Sequence, residues 1–436
     1  MKNWRKIIAL VLAVLLISVT LIACQQDDPA TNGGGDEATG DDGVTTSGEN
    51  VTIRYAFWQA TLEPYYNIMA AEFNEMYPNI TIEIEPTAWG DYWTMLETAI
   101  TAGGAADVFH MNGPNLKKYA DAGVLMGLDS YISASGMNLG VFPAAMNDMY
   151  NFNGSQYGIV MDYDTIGLFY NKELFDLAGI DYPDSSWTWD DLVSAAAAIT
   201  GIRDGAFGIA ANLQDQQGFY NTGFAEGGWF VQGGPGAETF GFNDSGTRAG
   251  IQVWVDLLEA GYSPTQLSLE ENEGYLQFMA GNLGMIVSGS WLPAFYSGED
   301  STVADVYDVA ELPLMSSGRR ASVIHGKGNC VFSDTANPNE AWLWVEFLSG
   351  ERAQRLIGEM GLVIPAYTGM AQLMFDTYPN LNMGIFADAA ENYSYPFPTS
   401  LDRPDWGDVY WAELLRAFNL EISVDEACDN IMAELG

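Results

Sequence analysis

Aromatic side chains at a strand end and in a loop are the first residues of this sequence that could bind a solute. Trp58 ends a strand-like run that begins at Val51, and Trp229 follows Gly227 and Gly228 in a predicted loop. An aromatic ring packs on apolar C–H surfaces, while carboxylates and amides form hydrogen bonds. This combination suits a polar solute with apolar faces, such as a sugar. The chain offers 58 acidic residues, 13 Trp and 22 Tyr for such a site.

Motifs of common catalytic sites do not occur in the sequence. There is no G-x-S-x-G nucleophile elbow. Gly326-Lys327 does not belong to a phosphate-binding loop of the form G-x-x-x-x-G-K-S/T, because Ala321 stands in the place of the first glycine and Gly328 in that of the Ser or Thr. Two isolated histidines and two isolated cysteines after Cys24 give no zinc spacing. We therefore expect no catalytic residue, no metal and no cofactor.

A secreted carbohydrate-active enzyme remains the main alternative. Glycosidases need two carboxylates at a set separation. With 58 acidic residues in the chain, some pair of carboxylates always looks suitable. Acidic pairs therefore do not distinguish an enzyme from a protein that only binds a solute.

The amino terminus has the pattern of a secretory signal. Basic residues in the first six positions precede an apolar run from Ile7 to Ile22, which is short for a membrane span. The sequence predicts a signal peptide over residues 1–23. The segment Leu21-Ile22-Ala23-Cys24 resembles the bacterial lipobox, in which the cysteine is lipidated, and this resemblance implies a lipid anchor at Cys24.

The segment after Cys24 is predicted to be a flexible tether. Residues 24–49 are rich in Gly, Asp and Glu, and this composition cannot bury enough apolar surface to fold. Lipid and tether together imply a protein held at the extracellular face of the cell membrane, or on the periplasmic side in an organism with an outer membrane.

Charge and length limit the remaining possibilities. The formal net charge is −42, and such a surface repels nucleic acid. The part that begins near Asn50 exceeds the size of a single core, so two domains are expected. An extracellular location permits a disulfide between Cys330 and Cys428, but two buried free thiols are favoured, because the two residues lie far apart in the sequence.

The coarse pattern of the body predicts an α/β fold. The run Val51 to Trp58 is typical of a strand, Glu63 to Met76 has helical apolar spacing, and Ile80 to Ile84 alternates like a second strand. Strand, helix and strand in this order indicate a parallel layer covered by helices.

Several segments together resemble the family of bacterial extracellular solute-binding proteins that includes maltose-binding protein. The segments are Tyr157-Gly158-Ile159, Leu168 to Phe175, Ala178-Gly179-Ile180, Trp187 to Leu192, Phe278 to Gly281 with Met285, Gly289 and Trp291, and Ala336 to Trp342. The resemblance covers nearly all of residues 51–436. It departs from the family pattern at Val160 and Met161, where many members have proline and lysine, so the contacts of that loop with a ligand are open.

The resemblance implies a two-lobed, periplasmic-binding-protein-like fold of type II, in which each lobe is a mainly parallel sheet flanked by helices and the lobes are joined by crossing hinge segments. The first lobe would comprise residues 51–161 and 306–352, and the second residues 162–305 and 353–436. The implied function is capture of a sugar or oligosaccharide for the permease of an ABC importer, as a monomer. A sensory lipoprotein that feeds a receptor is a further alternative.

The resemblance also implies most of the candidate ligand-binding residues. Trp291 stands at a ligand-stacking position, Asp164 at the place of a ligand carboxylate, and His325 at a glycine-rich strand start that faces the site. Phe219 and Tyr220 follow a segment similar to the sugar-contacting segment of maltose-binding protein. The full candidate set is Trp58, Tyr92, Asn112, Asp164, Phe219, Tyr220, Trp229, Trp291, His325 and Trp406.

Overall fold

The computed structural model describes residues 48–234, 236–298, 301–403 and 405–436. The expected signal peptide over residues 1–23, the lipidation site Cys24 and the tether up to residue 47 lie outside the described residues. No helix within the described ranges is both long and apolar enough to cross a membrane.

Helices and strands alternate along the described chain. The strands are Val51–Trp58, Ile80–Thr87, Val108–Asn112, Asn151–Phe152, Ser155–Gln156, Gly158–Val160, Asp162–Tyr163, Ile166–Asn171, Phe207–Ile209, Val231–Gln232, Thr239–Phe240, Leu283–Gly289, Tyr307–Ala310, Ser322–Ile324, Lys327–Val331, Ile364–Pro365 and Ser394–Pro396. The α-helices are Glu63–Met76, Trp89–Thr101, Gly113–Asp121, Asp129–Ser135, Ala144–Met149, Lys172–Ala178, Trp189–Ile199, Tyr220–Ala225, Ser245–Glu259, Gln266–Glu271, Gly274–Met279, Pro293–Tyr296, Pro338–Ser349, Glu351–Glu359, Ala371–Phe375, Gly384–Asn392, Trp406–Phe418 and Val424–Leu435.

The chain marks the beginnings of several helices locally. Thr188 caps the helix Trp189–Ile199, and its side chain and that of Asp191 satisfy each other's backbone N–H groups. Asp244 caps the helix Ser245–Glu259 by accepting from the backbone N–H of Gly246 and Thr247. These caps satisfy N–H groups that have no partner inside a helix.

The first sheet has five strands. Their spatial order is Ile80–Thr87, Val51–Trp58, Val108–Asn112, Lys327–Val331 and Gly158–Val160. The first three run parallel, as the strand–helix–strand pattern predicts, whereas Lys327–Val331 runs antiparallel to both of its neighbours. We call this sheet, with the hydrophobic core packed on it, the first lobe.

The second sheet has four strands. Their spatial order is Tyr307–Ala310, Ile166–Asn171, Leu283–Gly289 and Phe207–Ile209. Only the pair Leu283–Gly289 and Phe207–Ile209 is parallel, so the expectation of a mainly parallel sheet is wrong for this part. Along Ile166–Asn171, Leu168 and Phe169 face two different cores, because successive side chains of a strand point to opposite faces. This sheet and its two cores form the second lobe.

Two short segments carry the chain between the sheets, and they lie side by side. Residues 161–165 lead from the first sheet to the second, and residues 325–326 lead from the strand Ser322–Ile324, which packs on a core of the second lobe, back to the first sheet. Asp164 N donates to His325 O at 2.8 Å, and His325 N donates to Asp164 O at 3.1 Å. A third segment, Ile364–Pro365, pairs with Asp162–Tyr163.

The lobe boundaries differ from those expected for residues 306–366. Tyr307–Ala310 is an edge strand of the second sheet, and Tyr307 packs on Phe169 with a ring-centroid distance of 6.3 Å, although the sequence assigned this stretch to the first lobe. Ala353 and Ile357 belong to the first core, although residues from 353 onward were assigned to the second lobe. Both stretches find their apolar partners far away in the sequence.

The two cysteines of the described chain are buried and unpaired, as favoured from their sequence separation. Cys330 lies in the core of the first lobe and Cys428 in that of the second. Burial raises the pKa of the Cys428 thiol to about 12 and shifts that of Cys330 in the same direction. Both thiols therefore remain protonated at neutral pH and act as small apolar side chains.

We predict that Gly250→Ala destabilises the second lobe. A Cβ at Gly250 would lie 2.3 Å from the backbone nitrogen of Gly223, in a close contact between helices that cannot open without moving backbone. Overpacking of this kind costs about 1–3 kcal/mol. The matched control is Gly90→Ala, where a Cβ meets nothing within 4 Å. Urea unfolding should show a lower midpoint for Gly250→Ala and an unchanged or higher one for Gly90→Ala. Equal midpoints would contradict the close packing.

Candidate functional site

A polar cluster forms where the crossing segments meet the second lobe. The Asp164 carboxylate accepts a hydrogen bond from Gln216 Nε2 at 2.8 Å, and its other oxygen lies 3.8 Å from His325 Nδ1. Both Asp164 and His325 are buried. His325 Nε2 is buried without a hydrogen-bond partner, which leaves one ring nitrogen free to bond a solute.

Gln216 belongs to a π-helical turn, Asp215–Phe219, that is fixed to the second sheet. Ser288 Oγ, on the strand Leu283–Gly289, donates to Gln217 Oε1 at 3.1 Å. The amides of two consecutive glutamines are therefore both held, that of Gln216 by Asp164 and that of Gln217 by the second sheet. Amide groups offer both donors and acceptors, so this turn can bind hydroxyl groups of either orientation.

Asp215 is a partly buried carboxylate that the sequence candidates did not include. Tyr410 OH donates to Asp215 Oδ2 at 2.9 Å, and Tyr220 OH lies 3.1 Å from Tyr410 OH. Burial raises the pKa of the Asp215 carboxyl, and hydrogen bonds from Gln216 N and Tyr410 act in the opposite direction. A carboxylate held this way is a rigid acceptor next to the cluster of Asp164 and His325.

A cavity of about 480 Å³ opens beside Asp215. Among its lining residues are Lys117, Phe152, Asp215, Phe397, Trp406 and Tyr410. The helix Gly113–Asp121 of the first lobe forms one wall, and the loop 397–402 and the start of the helix Trp406–Phe418 form the other. Phe397 connects the cavity to the polar cluster, because its ring centroid lies 5.6 Å from that of His325. The volume falls in the range typical of small-molecule sites.

The loop 397–402 contacts both lobes. Lys117 Nζ donates to Thr399 Oγ1 at 3.0 Å, and the Leu401 side chain packs against the core of the first lobe. On the other side, the Glu238 carboxylate of the second lobe accepts from Leu401 N. The loop therefore covers the cavity at the boundary between the lobes.

The crossing segments are fixed by a buried ion pair. The Lys327 ammonium contacts the Asp162 carboxylate, and Lys327 N also donates to Asp162 Oδ1 at 2.6 Å. Burial raises the pKa of the Asp162 carboxyl, and the Lys327 charge opposes this shift. Removal of one partner of such a pair typically costs about 3–5 kcal/mol, so the pair holds the hinge in register.

Trp58 and Tyr92 lie in an aromatic group at the carboxyl end of the first sheet. Trp58 and Tyr92 are buried, and Tyr92 OH donates to His110 O at 2.8 Å. The Trp89 ring lies 5.4 Å from that of Trp58 but is 55% exposed, so it is the ring that offers a free face. Sequence reasoning missed Trp89, because a tryptophan at the start of a helix gives no signal that distinguishes a core residue from a ligand-binding one.

His110 is buried beneath this aromatic group. Tyr66 OH lies 2.6 Å from His110 Nε2. Burial, and to a smaller degree the charge of Lys327, lower the pKa of His110 well below its usual range. The ring is therefore neutral at physiological pH.

The other predicted residues lie in different surroundings. Trp291 is partly buried, and its ring covers Gly289, where a Cβ would lie only 1.8 Å from it. Phe219 and Tyr220 are fully buried in the second lobe, so their rings have no face exposed for stacking. Trp229 packs on Gly241. Asn112 caps the helix Gly113–Asp121 and accepts from Asn115 N.

The structure thus brings Asp164, His325 and Trp406 into one region, with Tyr220 behind it. Phe219 supports the same wall from inside the core. In the described part of the chain, no group of three or more His, Cys, Asp or Glu side chains could hold a metal ion.

Comparison with known proteins assigns this architecture to a class and to a family. The fold is that of the two-lobed, type II binding proteins: an ABC substrate-binding protein from Listeria monocytogenes, solved in complex with cycloalternan, superposes with a TM-score of 0.80 and 23% identity over 89% of this chain and 98% of its own. The profile of the bacterial extracellular solute-binding proteins matches residues 59–355. The chain therefore belongs to this family.

Sequence relatives agree with this assignment. An uncharacterised ABC transporter extracellular-binding protein of Pyrococcus horikoshii is 25% identical over 370 residues, which are 82% of this chain and 79% of the relative. The maltodextrin-binding protein MdxE of Bacillus subtilis is 24% identical over 220 residues, about half of each chain. The fold class and family expected from the quoted motifs are confirmed.

The buried His110 predicts a specific pH dependence of stability. Unfolding restores its ordinary pKa, so below about pH 6.5 the unfolded chain takes up a proton that the folded chain does not. The free energy of unfolding therefore loses up to about 1.4 kcal/mol per pH unit from this group as the pH falls below about 6.5. The free energy of unfolding of the parent protein and of His110→Gln is measured by urea unfolding at several pH values between 7.5 and 5. The loss per pH unit should be smaller in His110→Gln, because the contribution of His110 is missing. Identical slopes would contradict a neutral, buried His110.

Proposed function

We propose that this protein captures a saccharide between its two lobes and delivers it to the permease of an ABC importer. The observation that carries the proposal is the cavity between the helix Gly113–Asp121 and the loop 397–402, which is lined by the partly buried acceptor Asp215 and by the largely buried ring of Trp406. Aromatic faces and fixed carboxylate and amide groups are the two components that a sugar requires. Hinge segments that are fixed in register permit closure of the lobes on a ligand.

Each group at the site has a distinct proposed role. The Trp406 ring, which is 7% exposed, lines the cavity with an apolar edge, and Asp215, Asp164 and Gln216 bond hydroxyl groups. His325 Nε2 is available as a further hydrogen-bonding atom. Trp89, packed on the buried Trp58, offers an exposed ring in the first lobe, and Trp291 is a partly buried ring of the second. Ligand contacts made with both lobes favour the closed form, which a permease can distinguish from the open one.

The relatives support a saccharide as the solute. MdxE is named for maltodextrin, and the Listeria protein was solved with cycloalternan. Both are binding proteins, which supports capture without chemical change of the solute. We further propose that the protein is exported, anchored through lipid at Cys24, and monomeric. These features follow from the lipobox-like sequence and the family resemblance.

A thermal-shift screen tests the proposal. The purified protein is heated with mono-, di- and oligosaccharides, and amino acids and peptides serve as controls. A micromolar ligand at millimolar concentration should add about 4 kcal/mol of stability, which gives a clear rise in Tm. The stabilising sugar should be recovered unchanged. A sugar that is consumed would point to the enzyme alternative, and stabilisation by amino acids or peptides alone would refute the saccharide.

We predict that Asp215→Asn weakens binding of the identified saccharide at least tenfold, about 1.4 kcal/mol. The substitution keeps the shape of the side chain but removes the charge that strengthens a hydrogen bond to a hydroxyl group. Asp408→Asn is the matched control, because Asp408 is exposed on the helix that carries Tyr410 and the charge change is the same. Isothermal titration measures both variants. An unchanged affinity in Asp215→Asn would remove Asp215 from the site.

A further inference from the structure

The cations of the described residues are almost all paired with carboxylates. Of the 16 Lys and Arg residues of the chain, three fall in residues 1–23 and 13 in the described part. Those with a carboxylate oxygen within 4.0 Å are Arg54, Lys118, Lys172, Arg203, Arg248, Arg320, Lys327, Arg352, Arg355, Arg403 and Arg416. This pairing is expected in a chain with 58 acidic residues. Within the described residues, Lys117 and Arg319 are the exceptions.

The two exceptions have different surroundings. Arg319 is exposed on a turn, where water solvates its charge. Lys117 is partly buried and lines the cavity, and burial lowers the pKa of its ammonium group. Its Nζ donates to Thr399 Oγ1, which uses one of three donors. A partly desolvated charge with free donors is unfavourable unless an anion or acceptor completes its environment.

No carboxylate of the described residues forms an ion pair with Lys117. The charge of Glu238 acts to raise the pKa of Lys117. The Glu238 oxygens, however, accept hydrogen bonds from Ser400 Oγ at 2.5 Å and from Leu401 N at 3.0 Å. Asp402 accepts from the backbone N–H of Gly236 and Glu238, at 2.6 and 3.0 Å. Asp121, one turn along the helix from Lys117, is exposed to water.

We infer that the solute is an acidic saccharide, and that the carboxylate of a uronic acid unit binds Lys117. This inference rests on the proposed function and specifies its substrate class. A monoanion matches Lys117, the one cation of the described cavity lining that has no carboxylate within 4.0 Å, whereas a phosphate dianion would bring a second charge into a cavity that Asp215 and Asp402 also line. The negative surface opposes approach of the solute only over a screening length of about 8 Å at physiological salt.

Titration calorimetry with matched sugar pairs tests the inference. The pairs are cellobiose with cellobiouronic acid, maltose with maltobiouronic acid, and α-1,4-galactobiose with α-1,4-digalacturonic acid. The acidic member of at least one pair should bind at least tenfold more tightly than its neutral partner. If neutral members bind as well as or better than acidic ones, the inference is overturned and the proposed function stands. If no saccharide of either kind binds, both are overturned.

Variants of Lys117 make the test specific. Lys117→Met should reduce the preference for the acidic member to about twofold or less, and Lys117→Gln gives a second variant with a polar side chain. Arg319→Gln is the matched control, because it removes the other unpaired cation and changes the net charge equally. It should retain the full preference. A preference that persists in both Lys117 variants would overturn the assignment of the carboxylate to Lys117.

Discussion

The pairing of the two crossing segments is the constraint on which the rest of the site depends. Reciprocal main-chain hydrogen bonds join Asp164 and His325, and the buried contact of Asp162 with Lys327 fixes the same segments a few residues away. Because both segments run between the lobes, their register determines how the lobes face each other. The polar groups of the site are attached to this joint, so the joint that permits motion also positions them.

Each lobe contributes its own groups to the site. The first lobe contributes the aromatic group around Trp58 and the helix that carries Lys117. The second contributes the turn with Asp215 and the ring of Trp406. The Asp215 carboxylate is retained in spite of its partial desolvation, because hydroxyl and N–H donors bond it. A solute in the cavity would meet donors and acceptors that are already oriented, and binding would then require little ordering of side chains.

Local pattern was sufficient for part of the fold. The strand Val51–Trp58 and the helix Glu63–Met76 were predicted to the residue, because β-branched runs and helical spacing are local signals. The strand Tyr307–Ala310 was placed in the wrong lobe, because strand partners are chosen across the whole chain. Asp215 ends the segment that resembles the sugar-contacting segment of the family, yet neither Asp215 nor Lys117 was proposed as a ligand-binding residue, because their chemistry depends on burial and on which neighbours are already bonded. Phe219 was proposed for stacking, yet it is fully buried and supports the wall from behind.

The interleaving of the lobes has a consequence for how the chain folds. The first sheet contains Val51–Trp58 and also Lys327–Val331, so it cannot be completed until more than half of the sequence has been synthesised. Closing such long loops costs entropy before the contacts repay it, and proteins dominated by distant contacts fold slowly. A nascent chain of this topology therefore stays unfolded for longer than one built from consecutive domains. For a polypeptide that has to pass through a narrow translocation channel as an extended thread, delayed folding is an advantage.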